Sequence, residues 1–247
     1  MSESPFAGID EKLERSRTHI ENLKVEVDRF FQKSDYPVLP QKDVQLLLKA
    51  VKHLEQQKVP LRFSVLAGEI IHHLRSCLDH IAWTFSSEEY RTGENRKFIE
   101  FPILQARPRM EHRFTQYERK IKGITHPDVL ATIERLQPYN SPKPLETPLF
   151  ILNDMDITDK HRELVLCIAG GGIAIPPDVF QRSIMRYMQG IITEAEGQAE
   201  LQPYAQFVPS IAFRNSGNRE PEAILPVLIE LHNFIVRVMQ RFSMYLK

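Results

Sequence analysis

SVLAGEIIHHLRSCLDHIAWTF (64–85) is the stretch on which the fold turns. Ala67, Ile70, Ile71, Leu74, Cys77, Leu78, Ile81 and Phe85 recur at gaps of three and four residues, one continuous apolar stripe at helical spacing. The spacing predicts a long, buried central helix. Towards the amino terminus, Ile9, Leu13, Ile20, Leu23, Val27 and Phe30 repeat the pattern, with Ser16 in the one missing seam position. That segment, Ile9 to Phe31, reads as a second long amphipathic helix, packing on its own core or forming a coiled-coil seam with a second chain. Pro37 and Pro40 close it. Between Asp43 and Phe63 strand-like and helix-like patterns overlap, and a strand pair turning near Glu55 to Lys58 is the expectation.

Beyond the central helix, Ser86 to Arg109 is polar and irregular, and its Phe101–Leu104 segment fits a strand or an anchored loop. Helices are expected at about Met110–Lys122, Pro127–Leu136 and Leu145–Thr158. The period then changes. ELVLCIA (163–169), the Gly170–Gly172 turn and IAIP (173–176) read as a hairpin. Further strands are expected at Met188–Thr193, Ala199–Gln202 and Phe207–Phe213, with turns at Glu196–Gly197 and Asn215–Asn218. Leu228, Leu231, Ile235, Val238, Met239 and Phe242 mark a closing helix. Helices, then strands, then a helix argue for an α+β fold, mainly helical, with a segregated antiparallel β-sheet in the C-terminal half. We expect one domain over 1–247: a helical part to about 158, a β-rich part over about 163–214 and a closing helix over about 222–246.

With 247 residues the chain can bury a core without disulfide or metal staples. Its 32 basic and 32 acidic side chains cancel, which argues against the basic face of a duplex-DNA binder. Cys77 and Cys167 lie in apolar segments without CxxC or Cys/His spacing and read as buried free thiols of a reducing compartment. The start, MSESPFAGIDEKLERSR, has no apolar core of the signal-peptide kind, and no stretch approaches the ~18 apolar residues of a membrane span. A cytoplasmic protein without a membrane partner is expected. Gly170–Gly172 lacks the Lys-Ser/Thr of a P-loop and the GxGxxG spacing, and HExxH, GxSxG and EF-hand patterns are absent. No cofactor and no metal are expected.

The polar side of the central helix is where chemistry could lie. His72, Arg75, Ser76, Asp79, His80 and Trp83 occupy the arc away from the stripe, with Glu69 and His73 beside His80. One reading is structural: Arg75 with Asp79, and Ser76 with His80, are i,i+4 pairs on one helix. A second makes Glu69, His73 and His80 metal ligands together with His161. A third is catalytic. Metal-independent RNA cleavage needs a base for the 2′-hydroxyl proton and a cation for the phosphorane. Histidine titrates near neutrality and arginine holds phosphate oxygens with a planar fork, so His80 and Arg75 fit those roles.

Arg75 and His80, with Ser76 after the arginine, resemble the R-x4-H element of HEPN-superfamily ribonucleases. R-x4-H recurs at Arg107–His112, but only the Arg75 copy lies in an uninterrupted helical pattern. The resemblance implies catalytic Arg75 and His80 and a site completed by two chains, hence a homodimer. GEIIHHLRSCLDHIAW (68–83), LNDMDITDKHREL (152–164), the FPI segment and Gln137–Tyr139 also resemble a widespread family of uncharacterised bacterial proteins with an H-x-L-R-S-x-L-D-H helix and a later D-K-H-R. That likeness implies a shared polar constellation of His72, Arg75, Ser76, Asp79, His80, Asp159, Lys160, His161 and Arg162, with His73 where asparagine is expected. The 159–162 corner either caps a helix or folds over the Arg75/His80 face, with Asp159 orienting a histidine and Arg162 adding a phosphate ligand.

Two functions follow, and whether the protein is an enzyme stays open between them. The leading one is metal-independent RNA cleavage or RNA binding through Arg75 and His80, supported by His72, Ser76, Asp79, Asp159, His161 and Arg162. The alternative is a non-enzymatic interaction or scaffold protein in which these residues form a buried network.

Overall fold

The computed structural model describes residues 4–33, 39–40, 58–107, 116–161, 164, 166–169, 173–174, 177–201, 206–207, 210–213 and 222–246. Its elements in order are α1 (Ala7–Lys33), β1 (Leu39–Pro40), α2 (Leu61–Phe85), α3 (Glu88–Thr92), α4 (Gln116–Ile121), α5 (Pro127–Leu136), α6 (Pro148–His161), β2 (Leu166–Ala169), β3 (Ile173–Ala174), α7 (Pro177–Met188), α8 (Glu194–Leu201), β4 (Gln206–Phe207), β5 (Ser210–Phe213) and α9 (Ile224–Ser243). The fold is α+β and mainly helical, with a long central helix and a closing one. The chain forms two compact units: 1–23, 64–164 and 225–247 make the first, and 24–63 with 165–224 the second.

The first unit is organised on α2. Ala67, Ile70, Ile71, Leu74, Cys77, Leu78, Ile81 and Ala82 are fully buried. Each large one contributes roughly 1.5–3 kcal/mol by leaving water, so the stripe read from sequence is the core. Phe6, Ile9, Ile20 and Leu23 of the amino-terminal segment join it, as do Phe101, Ile133, Leu149, Leu152, Leu228, Leu231, Ile235 and Phe242. Ser16, the gap in the first apolar seam, is buried with its hydroxyl 2.8 Å from His232 Nδ1. That single polar contact ties α1 to α9. Cys77 is a free thiol, and burial pushes it up to about 12, which makes it inert near neutral pH.

The second unit holds every strand among the described residues. β1, β4 and β3 form an antiparallel sheet in that order, and β2 pairs with β5 from Leu166 opposite Phe213 to Ala169 opposite Ser210. The expected hairpin between the 163–169 and 173–176 segments is therefore corrected: each pairs with a strand further along the chain. The expected strands at Met188–Thr193 and Ala199–Gln202, and the turn at Glu196–Gly197, are corrected as well. Met188 ends α7, and α8 runs through Gly197 to Leu201. The reason is local. Thr193 and Glu196 exchange bonds as a capping box: Glu196 accepts from the Thr193 amide at 2.8 Å, and the Thr193 hydroxyl accepts from the Glu196 amide at 3.3 Å.

Other expectations meet mixed outcomes. The helix expected at Met110–Lys122 is described only over Gln116–Ile121, and the irregular 86–109 stretch contains α3 and a 3₁₀ turn at Glu94–Phe98. Residues 41–57, the glycine triplet and Asn215–Asn218 lie outside the described residues.

Candidate functional site

Arg75 and Asp79 stand one turn apart on α2, and their side chains meet: Arg75 Nη1 donates to Asp79 Oδ1 at 2.5 Å. The pair also holds the backbone of Phe101. Arg75 Nη2 donates to the Phe101 carbonyl at 3.1 Å, and the Phe101 amide donates to Asp79 Oδ1 at 2.9 Å. A salt bridge thus does for one residue what a neighbouring strand would do. Phe101 is fully buried, and its polar backbone groups need such partners. Arg75 is only 6% exposed.

The next residues of the same extended segment are held by Gln137, which caps α5 where Pro138 follows. Its Nε2 donates to the Pro102 carbonyl at 2.9 Å and to the Ile133 carbonyl at 3.0 Å, while Oε1 accepts from the Leu104 amide at 3.1 Å. The FPIL segment is thus an anchored loop. The two short motifs around it, R-x-x-x-D and Q-P-Y, supply its anchors.

A second polar group lies where α2 meets α6. Asp156, nearly buried, accepts from Lys160 Nζ at 2.6 Å and lies 3.5 Å from His72 Nδ1. Asp159, one turn along α6, sits against Gly68. Burial first, and then Asp156, push its carboxyl above the usual carboxylate range. His161 is exposed at the end of α6, and Arg162 lies outside the described residues.

Of the expected site residues, the structure joins Arg75 to Asp79, and His72 to Asp156. His80 goes elsewhere. It is exposed at the residue level, and a carbon added at Gly8 would lie 3.8 Å from its Nδ1. Partial desolvation, then Lys12, holds it below the ordinary histidine value, against the pull of Asp79. A neutral His80 at pH 7 could accept a proton, but the arginine proposed as its partner is engaged with Phe101. Ser76 is half-buried on the same helix.

Several groups escaped the sequence reading. His19 of α1 and His73 of α2 stack with ring centroids 5.9 Å apart and planes within 13°, and the Nδ1 atom of each is buried with no hydrogen-bond partner. Among the described residues no three His, Cys, Asp or Glu side chains are placed to hold a metal ion, so Glu69, His73, His80 and His161 do not converge. Glu134 of α5 accepts from Tyr117 at 3.0 Å, from Tyr139 at 2.7 Å and from Arg107 at 3.2 Å. Burial and that carboxylate push both phenols well above their ordinary value. Only the backbone fold brings these residues together, and no local spacing announces them.

An open cavity of about 230 Å³ is lined by Lys97, Phe98, Glu100, Arg119 and Lys120. Lys120 pairs with Glu100 at 2.7 Å. The Arg119 guanidinium lies 4.2 Å, and the Lys97 ammonium 5.2 Å, from the centre of the Phe98 ring. Cations over an aromatic ring in an open cavity can receive an anion. Comparison of the chain with protein-family models, with curated proteins and with solved structures gave no match.

Proposed function

We propose that this chain is a non-enzymatic interaction protein in which Arg75 and Asp79 of the central helix are architecture. The observation that carries this reading is the commitment of both terminal guanidinium nitrogens of Arg75, Nη1 to Asp79 and Nη2 to the Phe101 carbonyl. Phosphorane stabilisation needs that fork free for phosphate oxygens. Freeing it would break a pair whose arginine is buried and whose carboxylate is partly exposed, at a cost of about 3 kcal/mol. The purified chain, incubated with single-stranded RNA in chelator, is expected to leave the RNA intact. Cleavage that disappears in His80→Ala would overturn the proposal.

A second reading keeps RNA as a ligand but moves it. Lys97 and Arg119 over Phe98 combine cation and ring as single-stranded nucleic-acid sites do. RNA binding that weakens with salt and is lost in Arg119→Ala but kept in His80→Ala would favour it. Binding equal in Arg119→Ala and the wild type would exclude it.

A further inference from the structure

Helix α7, PDVFQRSIMRYM, is amphipathic in an unusual sense. Two polar contacts tie it to its own unit. Ser183 is buried and donates to the Gly197 carbonyl at 3.4 Å, and Arg186 pairs with Glu200, so α8 holds α7 by hydrogen bonds and charge. The apolar side chains are turned outward. Phe180, Ile184, Tyr187 and Met188 fall at i, i+4, i+7 and i+8, within an arc of about 100° on the helix.

One more apolar residue is exposed where the helix stops. Gly190 takes a left-handed φ of 70°, its amide donates to the Tyr187 carbonyl, and the Ile191 amide donates to the Arg186 carbonyl. That is the Schellman stop, which only glycine adopts without strain. It leaves Ile191 exposed just past the helix. Met188 is 79% exposed, and Phe180, Ile184, Tyr187 and Ile191 are 38–59% exposed. Amphipathic helices of globular proteins ordinarily bury such a stripe.

We propose that this face of α7 packs against the same face of a second copy of the chain across a two-fold axis. The proposal rests on the interaction-protein reading above and names its surface. Two observations select this occupant. The first is area. The exposed parts of these five side chains, with Met185 at their edge, amount to roughly 600 Å², against about 800 Å² per partner in a stable interface. The remainder is what a polar rim supplies. Exposed apolar surface of this size on one short segment is at the upper end of what monomers leave in water.

The second is charge. In a two-fold interface a residue near the axis meets its own copy, so a charge there would face a like charge. The stripe carries none. Asp178 and Arg182 pair with each other at 3.7 Å on another side of the helix, about 160–200° from Phe180. Arg186 is taken by Glu200. A charged peptide finds no complement on the stripe, and an anionic lipid surface finds no unpaired arginine on the helix.

The test is the mass of the full-length chain by sedimentation at micromolar concentration, for the wild type, Met188→Glu and Tyr187→Glu. Both positions are exposed, so the helical circular dichroism should not change. The wild type is expected to be a dimer, and each substitution to weaken it at least about tenfold, since a charge would be placed against its copy in an apolar contact. Met188→Cys should also form an intermolecular disulfide on mild oxidation. A monomeric wild type, or a dimer that Met188→Glu leaves intact, would overturn the interface. So would a monomer that sediments with vesicles of anionic lipid. None of these results bears on Arg75, whereas RNA cleavage by a chain whose dimer does depend on Met188 would overturn only the non-enzymatic reading.

Discussion

Asp159 rests directly against Gly68: a carbon added at Gly68 would lie 2.5 Å from Asp159 Oδ1 and 2.6 Å from Oδ2. The glycine is buried in the middle of α2, where it costs about 0.5–1 kcal/mol relative to alanine. Its use is the close approach of α6. For Asp159 the sequence left open a capping role and the orienting of a histidine; the contact with Gly68 adds that it fixes how two helices meet.

Gly68→Ala should therefore destabilise the chain by at most about 2 kcal/mol, the overpacking being offset in part by a shift of the Asp159 carboxylate and by alanine's preference for the helix. Combined with Asp159→Ala, the same substitution should become neutral or mildly stabilising. Urea denaturation of the two single variants and the double variant measures this. Additive effects would contradict the contact.

Gln137→Ala should cost about 2–4 kcal/mol. The substitution removes the partners of the Leu104 amide and the Pro102 carbonyl together, and each unsatisfied buried group costs roughly 1–3 kcal/mol. Amide exchange should speed up at Leu104 and leave Phe101, held by Asp79, much less affected. Equal acceleration at both would show that the two anchors are one unit.

Stability should fall as pH drops below about 6.5. His73 is held below its ordinary 6.5 by burial first, and then by Lys12, His19, His72 and Arg15; His80 and His232 are also lowered, each by burial first. A base whose folded value is depressed leaves the unfolded chain binding more protons, so stability is full above 6.5 and is lost as pH falls towards the folded values. Asp159 acts oppositely: its raised carboxyl favours folding below about 3.8, and that contribution is lost as pH rises through its folded value. Melting temperature measured from pH 7.5 to 5.5 should decline, and less steeply in His73→Asn. An unchanged slope would show that the His19–His73 stack takes no part.

The central helix, the amino-terminal helix, the helices at Pro127 and Pro148 and the closing helix were legible in the sequence, because each carries an apolar stripe long enough to fix its period. The segment from Pro177 to Leu201 was not. Its helical stripe of Phe180, Ile184, Tyr187 and Met188 was present in the sequence but spans only about two turns and runs into Ile191 and Ile192, so that Met188–Thr193 resembles a strand. Strand partners were illegible for another reason: β2 to β5 and β3 to β4 are pairings across the chain that turn glycines cannot reveal. At the candidate site, the Arg75–Asp79 pairing was visible as i,i+4 spacing. Its object was not, because Phe101 is engaged through backbone atoms that every residue possesses.

The most direct test of the account is the unfolding free energy of Arg75→Ala, measured beside its effect on RNA. Arg75 is buried, while the Asp79 side chain keeps 36% of its exposure, so water can take over part of what the carboxylate loses. A loss of about 3 kcal/mol is predicted, with no RNA-cleaving activity in either the wild type or the variant. A variant as stable as the wild type to within about 0.5 kcal/mol, and lacking an RNA cleavage that the wild type performs, would contradict it.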